Sequence, residues 1–159
     1  MKKIIALVLA SLLVLSMTSA FAATGLGSIT TVTVTAPTAD KAGSLTVYTT
    51  MCALTLDEEG KIVGVDFDAV QSKAATDADL ATETQSKDEI KEGYGMKAAS
   101  PIGLEYYEQM NALEAWCIGK TVEEVLAGVA AEDADLKAGC TVGIADHLAA
   151  LQEAAANAK

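Results

Sequence analysis

The sequence predicts an α+β fold, a small antiparallel sheet with helices packed on one face. Two observations carry that reading. Between residues 28 and 70 the chain consists of Thr- and Val-rich runs of alternating polarity separated by turn residues. From residue 86 onward, capping motifs and apolar residues at helical spacing replace them.

The opening segment, "MKKIIALVLASLLVLSMTSAFA", stands apart from both. Two lysines, an apolar run from Ile4 to about Met17, and small residues Ala20 and Ala22 around Phe21 form the pattern of a secretory signal peptide. Residues 1–22 are therefore assigned to a leader and 23–159 to a single domain beginning at Ala23. A retained anchor is the weaker reading, because the run is shorter than the roughly 20 residues a spanning helix needs. No cysteine precedes Cys52, which removes the attachment point of a lipid anchor. The expected location is secreted, extracellular.

The elements follow in order. "GSITTVTVTAPTADKAG" alternates Thr with Val until Pro37, predicting a strand over residues 28–36 and then a loop. "SLTVYTTMCALTLDEEGKIVGVDFDAV" reads as a hairpin turning at Glu58-Glu59-Gly60, with Val63, Val65 and Phe67 on its buried face and Gly64, Asp66 and Asp68 on the other. "QSKAATDADLATETQ" reads as loop. Ser86 with Glu89 forms a capping box for a short helix ended by Gly93 and Gly95. Ser100-Pro101 supplies an N-cap and first-turn proline for a helix whose stripe is Ile102, Tyr106, Met110, Leu113 and Cys117, stopped by Gly119. Thr121 with Glu124 caps the next helix, and an Ala-rich helix with Ile144, Leu148 and Leu151 inward closes the chain. A hairpin alone is not a stable sheet, so the residues 28–36 strand and a short fourth strand near Cys140–Val142 are expected to join it.

Composition narrows function. The formal charge is −11, and every basic residue is a lysine. With no basic patch and no arginine fork for phosphate, nucleic acid is not an expected partner. Three cysteines, Cys52, Cys117 and Cys140, allow at most one disulfide and match no zinc spacing. The bland reading of Cys52 and Cys117 is small buried hydrophobes. His147, the single histidine, has no nucleophile turn beside it; it is expected at the surface or rim, which argues against hydrolysis. The acidic runs Glu132–Asp135 and Thr76–Asp79 lack the glycine and terminal glutamate of a calcium loop and read as solvated. Trp116 is expected in the core rather than in a ligand groove; Tyr94 and Met96 in "EGYGMKAASPIG" are expected to plug it from a tight interhelical turn, the alternative being a rigid loop that borders a ligand site.

The hairpin "TLDEEGKIVGVDFDAVQSK", the block "YGMKAASPIGLEYYEQMNALEAWCIGKTVEEV" and the closing "DLKAGCTVGIADHLAAL" resemble a group of secreted proteins and lipoproteins of anaerobic Gram-positive bacteria. Two of these segments also resemble the FMN-binding domain of flavinylated extracytoplasmic electron-transfer proteins. In that family a strand of the form "GKI..V..D" precedes an Asp-x-x-Ser/Thr-Gly-Ala-Thr motif, whose last threonine receives FMN phosphate from a flavin transferase. The motif falls here on Asp135, Ala138, Gly139, Cys140 and Thr141, in degenerate form: Ala138 replaces the hydroxyl residue, Cys140 replaces alanine, and Gly143 stands where another hydroxyl is common. The resemblance implies covalent FMN on Thr141, with Gly139, Asp135 and Cys140 around it, and a flavin transferase and extracytoplasmic redox partners. The chemistry needs an exposed hydroxyl, a permissive glycine and a helix N-terminus to favour the anion. The competing reading is a non-catalytic exported binding or structural module on the same fold, without flavin.

Overall fold

The computed structural model describes residues 22–75 and 85–159. The expected leader, residues 1–21 of it, and the Thr76–Asp79 run lie outside the described residues. The fold is α+β: an antiparallel sheet of three strands in the order β1-β2-β3, with helices on one face. The strands are β1 (Ala23–Thr35), β2 (Ser44–Leu56) and β3 (Ile62–Ala75). The helices are α1 (Lys87–Ile90), α2 (Tyr106–Cys117), α3 (Val122–Ala130), α4 (Ala134–Gly139) and α5 (Ala145–Asn157), with a 3-10 turn over Lys91–Tyr94.

Register decides which side of the sheet is buried. Gly27 pairs with Cys52 and Cys52 with Phe67, while Ile29, Thr50 and Ala69 form the next row. Cys52, Leu54, Phe67 and Ala69 are buried on this inner face, against Met110, Leu113, Val125 and Leu151 from the helices. Helix α5 lies directly on β1 because Gly25 and Gly27 have no side chains. A Cβ at Gly27 would sit 2.0 Å from the Ala150 carbonyl oxygen, and one at Gly25 would sit 1.9 Å from that of Ala154. The edge of β1 is partly covered there: Glu153 accepts from Ser28 N–H at 2.7 Å, and Asn157 donates to the Leu26 carbonyl at 3.0 Å.

Several expectations are corrected. A register shift at Thr55/Leu56 lets Ile62 take the buried position and turns Val63 outward, so Val63 does not share the face of Val65 and Phe67. β1 begins at Ala23 and β3 runs to Ala75, both beyond the predicted limits. Residues 140–142 form no strand among the described residues, because Gln109 takes up the backbone donors that a sheet partner would need. Helix α2 starts at Tyr106, not at Ser100-Pro101. The Ser100 hydroxyl instead accepts from Leu104 N–H, and Glu108 closes the true N-terminus by accepting from Glu105 N–H. Both capping boxes, Ser86/Glu89 and Thr121/Glu124, form as expected. Tyr94 and Met96 pack against the core, half-buried. Trp116 also packs against it half-buried, with Nε1 donating to Asp133 Oδ1 at 3.2 Å and the Lys120 ammonium over its ring.

Candidate functional site

The Gly-Cys-Thr segment joins two helices rather than a strand and a helix. Asp133 caps α4 by accepting from Asp135 and Leu136 N–H, and Leu136 anchors that short helix in the core. After Gly139 the chain turns extended at Cys140 and runs to the start of α5. What holds the connection is Gln109 of α2, which is fully buried. Its Oε1 accepts from Thr141 N–H at 2.8 Å, Thr141 Oγ1 at 3.2 Å and Val142 N–H at 3.2 Å. Its Nε2 donates to Ser100 Oγ and the Leu104 carbonyl. One carboxamide therefore fastens three segments, and a buried polar group so fully paired is a net asset rather than a cost.

The residues singled out in the sequence are placed unequally. Thr141 is exposed at the lip of a cleft of about 420 Å³, whose lining includes Val129, Leu136, Lys137, Cys140 and Ile144. Cys140 is buried, and burial raises its thiol pKa. Gly139 is helical and packed: a Cβ there would meet the Ala112 Cβ at 2.8 Å, so this glycine serves the contact between α4 and α2. Asp135 is exposed in the first turn of α4 and does not line the cleft. Lys137 pairs with Glu132 at 2.9 Å on the cleft's rim. A larger hollow, of about 750 Å³, lies elsewhere, at the sheet residues Ala53, Gly64 and Asp66.

Sequence reasoning missed Gln109 and misplaced His147. Gln109 sits among Tyr106, Met110 and Leu113 on the buried stripe, and a carboxamide inside an apolar stripe is the signal that could have found it. His147 is 2% exposed, not at the rim, because α5 presses this turn onto the sheet. Its Nε2 shares a 2.7 Å hydrogen bond with the Tyr106 hydroxyl, its ring meets Phe67 edge-on, and its Nδ1 has no partner among the described residues. Burial first, and the Lys87 ammonium second, lower its pKa to about 4. Lys87 is itself buried inside three tyrosine rings, with Nζ 4.5, 4.7 and 4.6 Å from the centroids of Tyr48, Tyr94 and Tyr106, and it donates to Tyr48 Oη at 3.0 Å. Cation–π attraction replaces a carboxylate partner there. The three cysteines are buried and joined in no disulfide; burial pushes the thiols of Cys52 and Cys117 up to about 12, which leaves them inert as nucleophiles at neutral pH.

No described helix is long and apolar enough to cross a membrane, and no group of three metal-binding side chains occurs among the described residues. No family profile matches the chain, and no solved structure matches it. Over 94 residues the chain is 37% identical to a protein named chlorophenol reductase from Desulfitobacterium hafniense; the match takes in 48% of this chain and 28% of that protein. The chain thus spans well under a third of that relative's length.

Proposed function

We propose that this is a secreted redox domain, an extracytoplasmic electron carrier that holds FMN covalently on Thr141. The observation that carries the reading is the setting of Thr141: an exposed hydroxyl at the lip of a 420 Å³ cleft, on a backbone fixed by buried Gln109. That volume lies within the roughly 300–1,000 Å³ of small-molecule sites. Partial similarity to a protein named as a reductase supports a redox role in general terms.

The residues present fit the group on three counts. Esterifying Thr141 removes its O–H donation to Gln109 but leaves both N–H bonds, so the turn keeps its position. Helix α5 has no side-chain cap at Ile144, which leaves first-turn N–H groups to favour a phosphate. Val129, Leu136 and Ile144 offer the cleft apolar contact for a planar ring, and Lys137 is its cation. Asp146 in the first turn of α5, and Glu132 and Asp133 at the cleft, oppose the phosphate charge. FMN, when bound, supplies the electron-transfer chemistry, and the chain's task is to hold it and exclude water from one side.

The test is coexpression with a flavin transferase shown to be active on a standard substrate. With flavin adenine dinucleotide as donor, Thr141 Oγ displaces AMP by breaking the pyrophosphate bond. The peptide containing Thr141 should therefore gain the mass of FMN less one water and become fluorescent, and Thr141→Ala should abolish both signals while Cys140→Ala keeps them. An adduct lost only with Cys140→Ala means a sulfur-linked flavin, through an S–P bond to the phosphate or a thioether to the ring, and refutes the Thr141 assignment. No adduct on the active transferase returns the domain to the flavin-free exported module.

A further inference from the structure

The outer face of the sheet is the largest feature that the proposed redox role leaves unexplained. Five large apolar side chains are exposed among the described residues, and three of them, Leu26 (73%), Val32 (62%) and Val34 (70%), lie on this face of β1. Read across the strands, its rows are Thr24-Thr55-Gly64, Leu26-Ala53-Asp66, Ser28-Met51-Asp68, Thr30-Thr49-Val70, Val32-Val47-Ser72 and Val34-Leu45-Ala74. On a chain of charge −11, two whole strand faces carry no charge, and the only charged side chains in these rows are Asp66 and Asp68, both on β3. Described helices reach it at its margins, where Asp68 Oδ1 accepts from Asp88 N–H of α1 at 3.2 Å and Asn157 of α5 joins the lining of the hollow at Leu26. The solvated face of an antiparallel sheet ordinarily carries polar residues. Here Val32, Val34, Val47 and Leu45 form one apolar group and Leu26 with Ala53 another, separated by Ser28 and by the Thr30–Thr49 hydroxyl pair at 2.9 Å, and exposed apolar groups of this kind mark an interaction surface.

We infer that the face binds a second copy of this chain, sheet against sheet, as a two-fold symmetric dimer. The face is self-complementary. Leu26 of β1 is itself one wall of the hollow of about 750 Å³, whose lining continues across the sheet through Ala53 and Thr55 to Gly64 and Asp66. A two-fold axis running along β2 lays β1 of one copy over β3 of the other in the same row. Each Leu26 then enters the partner's hollow, as an isologous contact requires. The same axis stacks Val47 and Leu45 on their own mates and sets Asp66 and Asp68 opposite uncharged β1, so that no like charges meet directly. Size fits as well: three strands about 4.8 Å apart and 13 residues long at ~3.3 Å per residue give a face of roughly 600 Å² before side-chain relief is counted. Stable interfaces bury about 800 Å² per partner, so the whole face, and not a fragment of it, is needed.

The experiment is sedimentation equilibrium on the exported full chain across a concentration series, at low and high salt. A dimer is expected, and salt should tighten it by screening the repulsion between two acidic chains. Leu26→Lys and Ala53→Arg, on the knob and in the hollow, should each weaken it at least tenfold, while Ile118→Lys, an equally conspicuous exposed apolar residue off this face, should leave it unchanged. Both target side chains are exposed, and unchanged circular dichroism confirms folding. A chain that stays monomeric over the whole series, or a dimer indifferent to both substitutions, overturns the inference and returns the face to a different partner.

Discussion

Acidification sets a buried group and a half-buried one against each other, and the structure says which should win. His147 has its pKa lowered from 6.5 to about 4, chiefly by burial and then by Lys87. The unfolded chain therefore binds a proton that the folded chain refuses, and stability present above pH 6.5 is lost as pH falls toward 4. At 1.36 kcal/mol per pKa unit the loss is about 3 kcal/mol. Glu114 behaves oppositely. Burial, followed by the charges of Asp66, Asp88 and Asp68, raises its carboxyl from 4.5 to about 7, against the stabilising Phe67 N–H bond at 2.8 Å. The folded state takes up that proton first, so stability is gained as pH falls from 7 to 4.5. Glu114 is only half-buried and keeps a solvated side, so its gain is discounted to about 1–2 kcal/mol. Urea unfolding followed by Trp116 fluorescence at pH 7 and pH 4.5 separates the two. Relative to the parent, His147→Gln should recover about 2–3 kcal/mol on acidification, and Glu114→Gln should lose about 1–2 kcal/mol more than the parent does. If His147→Gln shows the parent's pH slope, the histidine is not buried neutral and the packing of α5 on the sheet is misassigned.

The same contacts fix two further outcomes. Gly27→Ala forces a Cβ into the Ala150 carbonyl and should cost about 3 kcal/mol, read as a fall in the thermal midpoint with α5 partly released from protection in hydrogen exchange. Gln109→Ala strands two backbone N–H groups at Thr141 and Val142 and opens a cavity; about 3 kcal/mol should be lost, with faster amide exchange at those two residues than elsewhere in the domain.

The fold class was legible because its two signals are local. Alternation along β2 and β3 and the reciprocal boxes at Ser86 and Thr121 need no partner to be recognised. The misplacements arise where a distant residue decides. Ser100-Pro101 looks like a helix start until Gln109 claims the Ser100 hydroxyl from within α2. Cys140–Val142 has strand composition, yet its donors are consumed by that same carboxamide. His147 looks peripheral because nothing in its neighbourhood announces that Gly25 and Gly27, far away in sequence, allow α5 to settle onto bare backbone. At the candidate site Thr141 is exposed, whereas Gly139 is explained by its packing against Ala112. A side chain that braces a turn from another element leaves no local trace.

The edge of β1 beneath α5 has one further property. Thr24 N–H donates to the Lys159 carbonyl and Lys159 N–H returns the bond to Thr24, each at 3.2 Å. The start of β1 and residue Lys159 are thus stitched side by side. A unit whose two ends leave from one point can be spliced into the surface loop of a larger protein without stretching either partner, because the host's chain need only step aside and return to where it left.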